Sequence, residues 1–289
     1  MRGLSGKGLT GCQKAPLREL LDKLAQEGII QPSQSEWSAP LIMVPKKEKG
    51  KFRVVVDHRG LNTLIRRDNY PLPRINDLLD NLQSAKRFSV LDLKSGFHQV
   101  PIDPADVHKT AFICAHGLFE FLRMSMGLAN APSCFQRMLE TLFSDMLTQG
   151  VLIYMDDLIL YSETDGEHER LLERVLTRLA EANLSLKPDK CQFFKKRVAY
   201  LGHLVSEDGI YPLHENIKKI LAFPVPTDKT KLKGFIRLTS YYRRFVEAFA
   251  RIARPLNGLT NKDREWQWYP EHQEAFEAIK AKLRDPPML

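Results

Sequence analysis

The chain has 289 residues, 43% of them hydrophobic, and carries 43 Lys and Arg against 35 Asp and Glu, a net charge of +8. That is enough to bury a sizeable core in two or more subdomains, and no apolar run approaches the roughly 18 residues of a membrane span. The four cysteines, Cys12, Cys114, Cys134 and Cys191, show no paired metal-type spacing, so no zinc site is expected and they read as reduced thiols of an intracellular chain.

Met1 to Gln13 has no apolar core and reads as a flexible leader, not a signal peptide. Pro16 opens the first helix, Leu17, Leu20, Leu21 and Leu24 form its apolar stripe, and Gly28 ends it. Leu41–Val44 and Phe52–Val56 are β-rich runs joined by a basic tip with Lys46, Lys47, Lys49 and Lys51, followed by Arg53. Such a loop suits closure over a triphosphate, or is an ordinary charged turn. Helices are expected at about 73–82 and 133–148, the second with Phe135, Met138, Leu139, Leu142, Phe143 and Met146 as a core stripe. Ser125 to Pro132 is a Gly- and Pro-punctuated loop feeding that helix. Further helices are expected at 167–183, 213–223, 229–250 and 271–283, with a hairpin turning at Asp208-Gly209. From Lys187 to Arg254 there are fifteen Lys and Arg against six Asp and Glu. Interleaved aromatics favour a polyanion-binding sector over a merely solvated face.

The chemistry concentrates at Tyr154-Met155-Asp156-Asp157, where apolar residues run up to and away from two adjacent acids. The local pattern is strand, tight turn, strand. Asp-Asp in a turn is by itself a common way to make a hairpin polar. A third acid, Asp92 in Phe88-Ser-Val-Leu-Asp-Leu93, stands where a β-rich run calls for an apolar residue, and burial there is costly unless it is ligated. Three converging carboxylates repel one another unless a cation lies among them. Mg²⁺ takes oxygen ligands from carboxylates and phosphates. Two such ions, about 3.5–4 Å apart, suit in-line phosphoryl transfer.

With Trp37-Ser-Ala-Pro40, Phe52-Arg-Val-Val-Val-Asp-His-Arg-Gly-Leu-Asn62, Tyr70-Pro-Leu-Pro73, Leu91-Asp-Leu-Lys-Ser-Gly-Phe-His-Gln99, Asn130-Ala-Pro132, Tyr200-Leu-Gly-His203 and Tyr241-Tyr-Arg-Arg-Phe245 in this order, the chain resembles the reverse transcriptases of gypsy-class LTR retrotransposons, from about Leu20 to its end. The resemblance implies an α/β right-hand polymerase and templated DNA synthesis. The leader would occupy 1–16, the fingers 17–67 and 100–131, the palm 68–99 and 132–208, the thumb 209–260 and the start of a connection 261–289. Asp92, Asp156 and Asp157 would be the catalytic metal ligands for two Mg²⁺, with Mn²⁺ as substitute. Lys46, Arg53, Phe97, Met126 and Gly127 would bind the incoming deoxynucleotide, Phe97 by blocking a ribose 2′-hydroxyl where the residues alone favour a core ring. Tyr154, Met155, Tyr200, Leu201, Gly202, Arg237 and Arg243 would hold the RNA/DNA or DNA/DNA template-primer duplex. Lys190 is a candidate proton donor to pyrophosphate, against the plainer reading of a solvated turn lysine. His98 and His203 read as structural, since no second ligand stands at metal spacing.

The family generally shows Pro at the place of Ser125, Phe or Gln at Met126 and Gly at Arg237, so these positions set the chain apart. The family setting is a Pol polyprotein fused to RNase H and integrase regions, in the cytoplasm, a virus-like particle or the nucleus, with no membrane partner. No RNase H domain follows here, so ribonuclease activity is expected to be absent. The rival readings are a domesticated nucleic-acid-binding module without catalysis and a domain active only within its polyprotein.

Overall fold

A computed structural model describes residues 11–45 and 52–287; the side chains of residues 11–15, 43, 45 and 52–54 lie outside that description. In order, the elements are α1 (Gly11–Gln26), β1 (Ile30–Pro32), β2 (Ala39–Pro45), β3 (Phe52–Val56), α2 (Arg59–Asn62), α3 (Ile75–Asp80) and β4 (Arg87–Asp92). Next come β5 (Phe112–Cys114), β6 (Gly117–Phe121), α4 (Ala131–Leu142), β7 (Val151–Tyr154), β8 (Asp157–Ser162) and α5 (Asp165–Glu181). Last are β9 (Gln192–Lys195), β10 (Arg197–Tyr200), β11 (His203–Ser206), β12 (Gly209–Pro212), α6 (His214–Leu221), α7 (Lys229–Ser240), α8 (Phe249–Ile252), α9 (Arg254–Leu259) and α10 (Pro270–Arg284). No helix among the described residues is long and apolar enough to cross a membrane.

The chain divides into two compact units, and the division passes through β4 and β8. Unit 1 holds the described residues up to Pro73 with Leu91–Leu158 and Leu172–Cys191. A five-stranded sheet, in the order β1-β6-β5-β2-β3, forms one part of it. β2 pairs antiparallel with β3 from Leu41↔Val56 to Pro45↔Phe52 and parallel with β5 at Ala39↔Phe112. Leu17 and Leu21 of α1 pack on this sheet with Ile29, Ile30, Val56, Phe112 and Phe121. The helix begins at Gly11, five residues before the predicted start, and carries Pro16 inside. Pro16 is the sixth residue of the helix, past the N-terminal donors that lack partners, so its missing N–H leaves one intrahelical bond, to Cys12 O, unmade. In α4 the predicted stripe is core: Phe135, Leu139, Phe143 and Met146 are buried. The helix proper ends at Leu142 and the chain continues in turns to Gly150.

Unit 2 comprises Arg74–Val90, Ile159–Leu171 and the described residues from Gln192 on. β10, β11 and β12 form a meander with two-residue turns, Tyr200↔His203 and Ser206↔Gly209 closing them. The second turns at Glu207-Asp208, one residue before the expected Asp208-Gly209, and Gly209 opens β12. Buried polar groups are paired in series: Phe194 N–H donates to Ser89 Oγ (3.1 Å), which lies 2.7 Å from His168 Nε2, and His168 Nδ1 lies 3.0 Å from Ser162 Oγ. Ser162 Oγ donates its proton to Thr164 O (3.0 Å) and so accepts from Nδ1–H, which leaves Nε2 of the neutral histidine to accept from Ser89 Oγ. The single helix expected at 229–250 is broken. α7 ends at Ser240, a 3₁₀ turn follows at Arg243–Phe245, and Ala248 has φ 54°. Thr239 Oγ1 bonds back to Phe235 O at 2.9 Å, a bond that bends helices. Leu232, Phe235, Tyr242, Phe245 and Val246 of the predicted stripe are nonetheless buried.

Candidate active site

The four-stranded sheet runs β7-β8-β4-β9, so β4, which ends on Asp92, is a neighbour of β8, which begins on Asp157. The residues that supply the three acids all belong to unit 1. Val151, Leu152 and Ile153 lead into the turn and Leu158, Ile159 and Leu160 lead out, all buried, while Asp156 and Asp157 are exposed. Apolar strands thus fix both acids at the surface. Met155 takes a left-handed conformation, φ 57°, which reverses the chain in so short a turn. Asp92 is half-buried; its carbonyl accepts Lys187 N–H at 2.8 Å, and its Oδ2 pairs with Lys190 Nζ at 3.0 Å.

The Asp157 carboxyl is open to solvent on one side, yet the protein around it, and then the charges of Asp156 and Asp92, raise its pKa, with Lys190 opposing. An all-oxygen donor set of this charge fits a hard divalent cation. Among the described residues no three His, Cys, Asp or Glu side chains are gathered at metal-ligand spacing, and the Asp92 carboxylate is directed to Lys190. Lys190 is therefore an ion-pair partner of a catalytic candidate and not the purely solvated lysine that its turn suggested.

Gly96 allows the segment after Asp92 to approach this turn: a Cβ there would stand 3.0 Å from the Phe135 ring and 3.6 Å from Asp156 Cβ. The next residue, Phe97, is half-buried and meets Phe135 edge-on at 5.3 Å. In the loop before α4, Met126 is exposed and Gly127 has φ 93°. Asn62 grips this loop on both sides, its Nδ2 donating to Gly127 O and its Oδ1 accepting Ala129 N–H, each at 2.8 Å. Ser125 is buried with its Oγ 3.2 Å from His58 Nε2. The Ser125 departure from the family pattern thereby acquires a partner that Pro would lack. Lys46 lies outside the described residues, and of Arg53 only the backbone, opposite Val44 in β3, is described.

Burial lowers the His58 pKa from 6.5 to about 4. The folded state thus binds this proton more weakly than the unfolded chain does. Neutral His58 contributes fully above about pH 6.5, and its contribution, on the order of 3 kcal/mol, is lost as pH falls toward about 4. Burial lowers His98, His168, His203 and His272 in the same direction. The urea midpoint should therefore fall steeply across that acid window. His58→Gln, which keeps a bond to Ser125, should make the fall shallower; an unchanged slope would show that His58 does not titrate this way.

In unit 2, Tyr200 is 2% exposed. Alternation along β10 points this ring into the sheet's core. The turn after it is accessible. Leu201 and Gly202 have φ 43° and 72°. Tyr241 OH donates to Leu201 O at 2.6 Å and Tyr242 OH to Gly202 O at 3.0 Å, while Asn216 Nδ2 donates to Tyr242 OH at 2.9 Å. His203 is structural, as expected: it is buried, with Nδ1–H donating to Leu201 O at 2.8 Å and Tyr241, Tyr242 and Phe245 around its ring. Arg237 and Arg243 are exposed and take part in no ion pair among the described residues, whereas Arg244 pairs with Asp80 at 2.7 Å.

The fold is that of a right-hand polymerase. It is similar to a foamy viral protease-reverse transcriptase in complex with ds DNA (TM-score 0.88, 27% identity, covering 97% of this chain and 49% of that one). The same viral protein in complex with an RNA/DNA hybrid gives a TM-score of 0.84 at 26% identity, covering 97% and 38%.

Residues 44–205 match the family described as reverse transcriptase (RNA-dependent DNA polymerase), and the chain belongs to that family of nucleotidyltransferases. Membership implies use of a divalent metal ion. The chain is 39% identical over 272 residues to the retrovirus-related Pol polyprotein from transposon 297 of Drosophila melanogaster, covering 92% of this chain and 26% of the relative. It is 38% identical over 264 residues to the transposon Tf2-3 polyprotein of Schizosaccharomyces pombe, covering 91% and 20%. It thus spans 20–26% of these relatives' length.

Proposed function

We propose that this chain extends a primer 3′-hydroxyl with deoxynucleoside triphosphates on an RNA template, and on DNA as well, as the polymerase portion of a retrotransposon Pol polyprotein that also carries RNase H and integrase regions. The observation that carries this reading is the placement of Asp92, at the end of β4, beside β8, which begins on Asp157 directly after Asp156. Two Mg²⁺ ions, held by these acids, would lower the cost of charge on the attacking and leaving oxygens. The 3′-hydroxyl gives up its proton to solvent, its oxygen forms a bond to the α-phosphorus, the bond to the bridging oxygen breaks, and pyrophosphate leaves.

The remaining residues bind and orient. Lys46 and Arg53 neutralise the triphosphate, Met126 and Gly127 border the base and sugar, and Phe97 fills the space of a 2′-hydroxyl. The Leu201-Gly202 turn supports the primer strand, and Tyr154, Met155, Arg237 and Arg243 meet the duplex. Lys190 would give a proton to pyrophosphate, a role that its ion pair with Asp92 supports by holding it beside the acids. In this reading the fingers are 17–67 and 100–131, the palm 68–99 and 132–208, and the thumb 209–260. The similar viral structures, which hold double-stranded DNA and an RNA/DNA hybrid, support a duplex partner.

The test is primer extension by this chain on RNA and DNA templates with Mg²⁺ supplied or chelated. Mg²⁺-dependent extension on RNA is expected. Duplex binding without extension would favour the domesticated binding module, and extension that returns only with a downstream domain attached would favour the polyprotein reading.

A further inference from the structure

Gln136 is a polar member of the buried face of α4, with no solvent exposure, beside Phe135 and Leu139. An amide at this depth is costly unless both of its ends are paired. Both are. Oε1 accepts Met155 N–H at 2.5 Å, and Nε2 donates to Ile153 O at 3.0 Å and to Glu140 Oε1 at 2.7 Å. Glu140 Oε2 in turn accepts the Tyr70 hydroxyl, and the Arg137 guanidinium lies 5.0 Å from the centre of the Tyr70 ring while pairing with Asp68. This series fixes the amide's orientation. Reversed, it would set an NH₂ against the Met155 N–H and an oxygen against a carboxylate.

The amide bridges the two residues that flank Tyr154 in the acid-bearing turn. Met155 is in the left-handed region, disfavoured for any residue with a side chain, and Asp156 and Asp157 repel each other directly after it. A turn with such a backbone needs an external hold. The hold on Met155 N–H and Ile153 O comes from Gln136, reached across 17 to 19 residues of sequence.

We propose that Gln136, oriented by Glu140 and Tyr70, is a positioning residue for nucleotidyl transfer that sets the Met155 backbone and through it the placement of Asp156 and Asp157. This rests on the polymerase reading above. Gln136 touches neither substrate nor acid; it acts through the turn.

Gln136→Leu preserves size and removes all three bonds. In primer extension on an RNA template its kcat should fall on the order of 10²-fold, the effect of a sub-ångström to 1 Å misplacement at a reacting centre. The KM for deoxynucleotide and the duplex affinity should stay near wild type, and half-maximal rate should need more Mg²⁺. Independently of activity, amide exchange in the 153–157 segment should quicken. Tyr70→Phe leaves Gln136 in place but frees Glu140, so it should shift kcat and exchange in the same direction by less, and add little on top of Gln136→Leu because both act through one turn.

If wild type extends primers and both variants match it in kcat, Mg²⁺ dependence and exchange, the positioning role is overturned and the polymerase reading stands. A lower melting temperature with an unchanged rate per folded molecule overturns it equally. If Gln136→Leu does not fold, Tyr70→Phe decides alone by the same readouts. No extension by wild type overturns both readings.

Discussion

Asp156→Asn should abolish Mg²⁺-dependent primer extension, lowering kcat by about 10³-fold or more while leaving the fold intact. Removing a single preorganised electrostatic contact costs on the order of 10²–10³ in rate, and here the lost group is a charged ligand, so that range is a lower bound. The substitution is isosteric, and Asp156 is exposed in the turn, so packing does not change. One of three mutually repelling charges is lost, and the pKa of Asp157, raised in part by Asp156, should move down. The thermal midpoint should therefore be no lower than wild type. Extension is measured on an RNA template, with duplex affinity measured separately to separate loss of chemistry from loss of binding. Extension by Asp156→Asn within tenfold of wild type would remove the carboxylates from the centre of the reaction.

Phe97→Val should let the enzyme take ribonucleotides. A ring that fills the space of a 2′-hydroxyl rejects it by overlap, and clearing the space should reduce discrimination between deoxyribo- and ribonucleotides on the order of 10²-fold, about 2.7 kcal/mol. The placement favours this reading: Phe97 is only half-buried, follows Gly96 next to Asp156, and is braced edge-on by Phe135. A purely structural ring gives the other result, a loss of stability with sugar selection unchanged. The ratio of kcat/KM for matched deoxy- and ribonucleotides, taken beside the melting temperature, separates the two.

The site was legible in sequence where function breaks a local rule. A β-rich run that ends on a carboxylate, Asp92, and two adjacent acids at the turn of an apolar hairpin, Asp156 and Asp157, place like charges together where nothing local rewards them, and that repulsion is the signal. The Gln136 support was not legible. A glutamine on an apolar helix stripe looks like a tolerated exception, and its meaning lies in Ile153 and Met155, brought to it only by packing. His58 opposite Ser125 and the two tyrosine hydroxyls on the Leu201-Gly202 turn are of the same kind, each joining residues about 40 or more positions apart.

The sequence by itself determined the helices and strands with strong periodicity, the acid-bearing hairpin and the family. Periodicity and turn chemistry are local, and the ordered motifs persist without reference to geometry. Only the tertiary structure decided that Tyr200 is core, that Lys190 is paired with Asp92 and that the helix after Lys229 breaks at Ser240. Burial, ion pairing and the bonding of the Tyr241 and Tyr242 hydroxyls to Leu201 O and Gly202 O depend on which surfaces meet, and the linear chain does not encode those meetings residue by residue.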